Sequence, residues 1–185
     1  MTLSDSTWNR LALIATLVKG HPGLGRTAVM KLPFFLVALR SVPLDYDFRL
    51  YTYGPFDSNV LDDLSYAESL GAVKSELIPN PRGYGYQIWP GPRANDIEAR
   101  GSKFLGEYRA DVEWVLGKFG SCQASTLELL STIVYVDREA RGEGEKLSLD
   151  ELATQVHEIK PHFSKDVIRS QAEALLAESL LVSIV

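Results

Sequence analysis

The chain has 185 residues, 45% hydrophobic and 23% charged, an ordinary globular composition that argues against wholesale disorder. Its single cysteine, Cys122, excludes an internal disulfide and a cysteine-based zinc cluster, and suits a reducing, cytoplasmic setting. The net charge of −5 is unevenly spread: residues 1–93 hold 9 Lys+Arg against 8 Asp+Glu and residues 94–185 hold 10 against 16, so the acidic second half disfavours unspecific nucleic-acid binding.

In chain order, the apolar run 11–18 is far shorter than the roughly 18 to 20 residues that cross a bilayer. Lys19 and a Gly-His-Pro-Gly turn follow it rather than a cleavage site, so neither membrane contact nor a secretory signal is expected. Trp8, Leu11, Ala12, Ala15 and Val18 recur at helical spacing and predict a helix over 7–19 with Ser6 as its N-cap. A second helix is predicted over 26–40, with Ala28, Leu32, Phe35 and Leu39 on one face. Pro33 should kink it, because proline has no N–H and its ring crowds the carbonyl of Val29.

Alternation over 48–53 predicts a half-buried strand stopped by Gly54-Pro55. Asp57 or Ser58 then caps a helix that turns Val60, Leu61, Leu64, Ala67 and Leu70 inward, and Gly71 suits the left-handed residue closing it. Two strand-like runs, 73–78 and 84–89, follow as a hairpin, and a helix leading into a hairpin is the second half of a winged helix.

After Pro90-Gly91-Pro92, the residues Ile97, Gly101, Phe104, Tyr108, Val112, Val115 and Phe119 draw one apolar stripe, predicting a single long helix. That helix would tie two modules together or pair with a copy of itself as a homodimer. Leu127, Leu130 and Val134 suggest another helix, and the polar, glycine-broken stretch 137–146 reads as an exposed loop. Ser148-Leu149-Asp150-Glu151 matches a capping box ahead of Leu152, Val156 and Ile159. A turn over 160–163 leads into a helix from Ser164 to about 180, a helix-turn-helix arrangement, and 181–185 could open a wing.

The expected fold is therefore mainly α with small β hairpins (α+β). It comprises two winged-helix-like modules, 1–93 and 123–185, joined by a long connecting helix over 94–122.

The chemistry-bearing motifs are sparse. Gly20, Gly25, Arg26 and Thr27 approach the spacing of a phosphate loop, but arginine replaces the lysine and a helix precedes where a strand is needed. His21, His157 and His162 lack the spacing of a metal site, and no nucleophile signature is present. Asp62 and Asp63 are adjacent and point roughly 100° apart on a helix, so they read as a solvated face rather than an acid/base pair. No enzyme activity, cofactor or metal is expected.

Binding surfaces are better represented. The helix over 57–70 carries Asp57, Asp62, Asp63 and Glu68 without a cation, the wrong sign for a DNA groove. The helix from Ser164 offers a hydroxyl, Lys165 and Arg169 near its start, where base edges are read, and with Arg82 at the hairpin tip these are the candidate DNA contacts. Tyr84, Tyr86 and Trp89 in the hairpin, with Tyr51, Tyr53 and Phe56 upstream, supply the aromatic side chains that protein interfaces favour.

The segments Lys31-Leu32-Pro33-Phe34-Phe35-Leu36 and Tyr51-Thr52-Tyr53-Gly54-Pro55-Phe56, followed by a leucine-bearing helix, resemble the Panacea-domain (SocA-like) proteins over roughly residues 7–75. Pro33 stands where those proteins usually carry leucine. The resemblance implies an antitoxin-like or phage-associated protein that neutralises a protein partner, such as a toxin, by direct contact. A transcriptional regulator reading DNA through the helix from Ser164 is the alternative.

Overall fold

A computed structural model describes residues 4–80 and 83–185. The described residues form nine helices and four short strands, mainly α with two small antiparallel sheets. The chain divides into two compact units, one running through Asp47 together with Asp57–Ala124, the other comprising Phe48–Phe56 and Ser125–Val185.

In the first unit α1 spans Asp5–Gly20, α2 Arg26–Arg40 and α3 Ser58–Ser69. The cap of α1 is Ser4 rather than Ser6, its hydroxyl accepting from the Thr7 N–H at 3.2 Å. Helix α2 continues through Pro33, which is buried inside it. Asp57 caps α3 by accepting from the Asn59 N–H at 2.8 Å, and Gly71 takes the left-handed conformation (φ +75°) just beyond the helix. The hairpin of β3 (Val73–Asn80) and β4 (Gly83–Pro90) follows, with Leu77 opposite Tyr86 and Ser75 opposite Ile88. Between α1 and α2, Leu24 adds a single antiparallel bridge to Ile88 of β4.

The single helix expected over 94–122 is instead three: α4 (Ala94–Arg100), α5 (Ser102–Glu107) and α6 (Arg109–Phe119). The axis breaks at Gly101 and again at Tyr108, both of which leave helical geometry. Gly101 lies so close to α1 that a Cβ on it would fall 2.5 Å from the Cβ of Ala12. Ile97, Phe104, Val112, Val115 and Phe119 are buried, and Phe119 stacks on Phe35 of α2 at 4.0 Å between ring centroids. The stripe is thus spent inside this unit, because dry packing against α1 and α2 removes more apolar area from water than an exposed connector could.

The second unit takes a hairpin from the middle of the chain, β1 (Arg49–Tyr51) and β2 (Gly54–Phe56), paired antiparallel. Gly54 therefore turns the strand back rather than ending it, which its positive φ of +86° allows. Helix α7 (Ala124–Glu143) runs through most of the stretch expected as a loop. Asp137 lies within it, fully buried, and accepts from the Val182 N–H at 3.0 Å, the Ser183 N–H at 2.9 Å and the Ser183 hydroxyl at 2.7 Å. Polar composition misleads here because this carboxylate is satisfied by backbone N–H groups, the Ser183 hydroxyl and the Arg138 guanidinium.

Helix α8 (Leu149–Ile159) carries the full Ser148–Glu151 capping box, and α9 (Lys165–Ala177) is capped by Ser164, which accepts from Val167 N–H at 3.3 Å. Instead of a wing strand, the C-terminal segment makes one parallel bridge between Ile184 and Leu147.

Candidate functional site

The predicted aromatic residues fall into two sets, one in each unit. In the first unit they lie on the β3–β4 hairpin. Strand alternation puts Ser75, Leu77 and Pro79 of β3 beside Tyr84, Tyr86 and Ile88 of β4 on one face. At its base Val73 and Ile88 enter the core; toward the tip Leu77, Tyr86 and Tyr84 are 57%, 39% and 73% exposed. Trp89 points to the other face, its ring close enough to Gly23 that an added Cβ would meet it at 3.5 Å. Arg82 lies outside the described residues.

The exposed guanidinium of Arg26, in the first turn of α2, stacks on Tyr86 at 3.5 Å from the ring centroid. The free edge of β3 is partly closed: the outward Ser75 N–H donates to Glu68 at 2.7 Å, and Pro79 has no N–H to offer.

In the second unit Tyr51 and Tyr53 project from the β1–β2 hairpin at 67% and 72% exposure, and Phe56 packs on Tyr51 at 5.6 Å between centroids. The hairpin turn is held from below. Lys160, almost fully buried, donates to the Thr52 carbonyl at 2.6 Å, pairs with Glu128, and lies 5.9 Å from the Tyr53 ring. Sequence reading misses this lysine, because no local pattern links a turn residue to a strand so distant along the chain.

The candidate DNA contacts on α9 are exposed but already engaged. Lys165 donates to the Thr154 hydroxyl at 3.0 Å. Arg169 donates to Glu173 at 3.0 Å and also pairs with Asp150, so each cation would have to give up an acceptor to reach a phosphate.

The carboxylates of α3 are not all solvated, contrary to the sequence reading. Asp63 is buried, where it accepts from the Arg10 guanidinium at 2.7 Å and the Tyr46 hydroxyl at 2.8 Å. Burial first, and then the Asp63 charge, raises the Tyr46 phenol far above its ordinary value. Asp57 is also buried and accepts from the Asp47 N–H at 2.6 Å as well as from Asn59.

Burial pushes the Cys122 thiol up, which keeps it from the nucleophilic thiolate form. His157 Nδ1–H donates to the Phe163 carbonyl at 2.8 Å. No cluster of three His, Cys, Asp or Glu among the described residues is placed to hold a metal.

An open cleft of about 570 Å³ in the first unit is lined by Lys19, Asn95, Glu98, Arg109 and Leu116. Several of its polar groups satisfy one another: Glu98 pairs with Lys19 and accepts from the Thr16 hydroxyl at 2.9 Å, and Lys19 donates to Asn95 at 2.7 Å.

No described helix is long and apolar enough to cross a membrane. Neither the models of known protein families nor the curated proteins match this sequence.

Proposed function

We propose that this protein is a non-enzymatic, antitoxin-like interaction protein that neutralises or regulates a protein partner by direct contact. The observation that carries the reading is the β3–β4 hairpin, whose core-facing side runs on past the core into an exposed patch of Leu77, Tyr84 and Tyr86. A continuous apolar surface left in water is what a partner covers, and tyrosine is enriched at interface centres because it gives large contact area at small entropic cost. The Tyr51 and Tyr53 hairpin of the second unit is a further candidate contact of the same kind.

A winged-helix architecture fits the element order. The first unit runs helix, bridge residue Leu24, helix, helix and hairpin, and the second runs α7, bridge residue Leu147, α8 and α9 before the segment that carries Ile184. The resemblance to Panacea-domain proteins points the same way.

The test is co-expression with the product of the adjacent gene. The wild-type chain should neutralise its toxicity and bind it directly. The Tyr84→Ser/Tyr86→Ser and Tyr51→Ser/Tyr53→Ser variants should each fold yet lose affinity, about 2 kcal/mol or roughly 30-fold for a central aromatic contact. Full neutralisation by both variants would remove the reading.

The short turn between α8 and α9 favours DNA as the second reading. A gel shift with the chain's own upstream DNA that depends on Lys165 and Arg169 would support it; a shift indifferent to Arg169→Ala would not.

A further inference from the structure

We propose that the β3–β4 face takes an acidic protein segment, which seats an apolar side chain among Leu77, Tyr84 and Tyr86 and sets a carboxylate against Arg26. This rests on the protein-binding reading above and specifies the chemistry of the partner.

The charge of the face carries the proposal. From Ser75 to Pro79 and from Tyr84 to Ile88 the side chains of this face hold no charge, whereas Lys74 and Glu76 stand on the opposite face and pair with each other at 2.7 Å. The charge laid over Tyr86 is that of Arg26, while the Glu68 carboxylate lies at the β3 edge of the face, on Ser75. Its guanidinium is stacked on Tyr86, exposed, and without a carboxylate partner among the described residues. Stacking fixes the plane of the guanidinium and leaves its N–H groups free for a carboxylate, an arrangement that binds in two parallel hydrogen bonds. The N-cap of α2 is Gly25, which offers no side-chain acceptor to the first N–H groups of the helix, so the partial charge there is positive as well.

Two further features narrow the partner. Glu68 occupies the Ser75 N–H, and Pro79 removes another donor, so the partner is recognised by side chains on the face rather than by adding a strand to β3. Glu68 also stands at the edge of the face, where a nucleic-acid backbone tracking across Arg26 and the tyrosines would meet a carboxylate. A discrete acidic group beside an apolar one fits this surface better than a polyanion.

The test pans a displayed random peptide library on the full-length protein and measures the selected peptides by fluorescence anisotropy. Selected peptides should be net acidic with an aromatic or aliphatic residue. They should bind Arg26→Glu and Tyr84→Ser/Tyr86→Ser at least about tenfold more weakly, and Lys74→Glu, on the opposite face, as well as wild type. Glutamate is favourable in the first turn of a helix, so Arg26→Glu inverts the charge without unfolding α2.

The proposal is overturned by affinity indifferent to Arg26→Glu, by no selection beyond that on the double tyrosine variant, or by tighter binding of a mixed-sequence single-stranded oligonucleotide at the same face. Neutral or basic peptides lost on Tyr84→Ser/Tyr86→Ser would reject the acidic partner while leaving the hairpin as a protein-binding element. An adjacent-gene partner that still binds the double tyrosine variants of both hairpins would reject both.

Discussion

Lys160 and Thr52, 108 residues apart in sequence, are joined by a hydrogen bond of 2.6 Å from the ammonium to the carbonyl oxygen. The turn between α8 and α9 thereby holds the hairpin that presents Tyr51 and Tyr53, and Glu128 of α7 balances the charge. Removing one partner of a buried pair leaves the other uncompensated. Lys160→Met is expected to destabilise the protein by about 3 kcal/mol in urea unfolding, with faster amide exchange over 49–56. Adding Glu128→Leu should recover a good part of the loss. A change below about 1 kcal/mol would mean that the pair does not hold the hairpin.

Asp137 does comparable work for the C-terminus. It gathers the N–H groups of Val182 and Ser183 and the Ser183 hydroxyl with no exposure of its own. Asp137→Ala strands these donors and should cost about 3 kcal/mol, seen as a lower unfolding midpoint together with loss of protection at 182–183.

Two glycines of the broken helical segment should respond in opposite directions. Gly117 is in α6 with open space where a Cβ would go, so Gly117→Ala is expected to stabilise by about 0.5–1 kcal/mol through reduced freedom of the unfolded chain. At Gly101 the new Cβ would meet that of Ala12 at 2.5 Å, and Gly101→Ala should destabilise by about 2 kcal/mol. Thermal unfolding of the pair checks both signs.

The Tyr46 phenol gives stability an alkaline dependence. Burial and then Asp63 raise its folded-state pKa above that of the unfolded phenol, about 10. Its contribution is present in full below about pH 10. Above that the unfolded chain releases a proton that the native chain keeps, so stability falls by up to ~1.4 kcal/mol per pH unit until the folded phenol itself ionises. Tyr46→Phe loses the hydrogen bond to Asp63 at neutral pH, yet lacks this alkaline loss. The gap between variant and wild type should therefore narrow as pH rises above about 10, and a constant gap in urea unfolding would contradict the assignment.

Much of the fold is legible in the sequence where local physics decides. The Ser148–Glu151 capping box, the Asp57 and Ser164 caps, the left-handed Gly71 and the β3–β4 hairpin all involve residues within a few positions of each other, and each forms as its pattern predicts. The aromatic residues of both hairpins were also recognisable as candidates, since alternation assigns faces. It does not tell which face the core leaves bare, and Trp89 lies on the opposite side of the hairpin from Tyr84 and Tyr86.

By itself the sequence determined most of the helices and strands, the caps of α3, α8 and α9, and the absence of a long apolar span, because these depend on spacing and on side chains reaching their own backbone. Only the tertiary structure decided that the stripe from Ile97 to Phe119 breaks at Gly101 and Tyr108 to pack within its own unit. It alone decided that Asp63 and Asp137 are buried acceptors, that Lys160 holds a hairpin, and that Arg169 is held by Asp150 and Glu173 while Arg26 stands open on Tyr86. The burial and charge state of a polar side chain are set by the groups that surround it, and most of those come from residues far away along the chain.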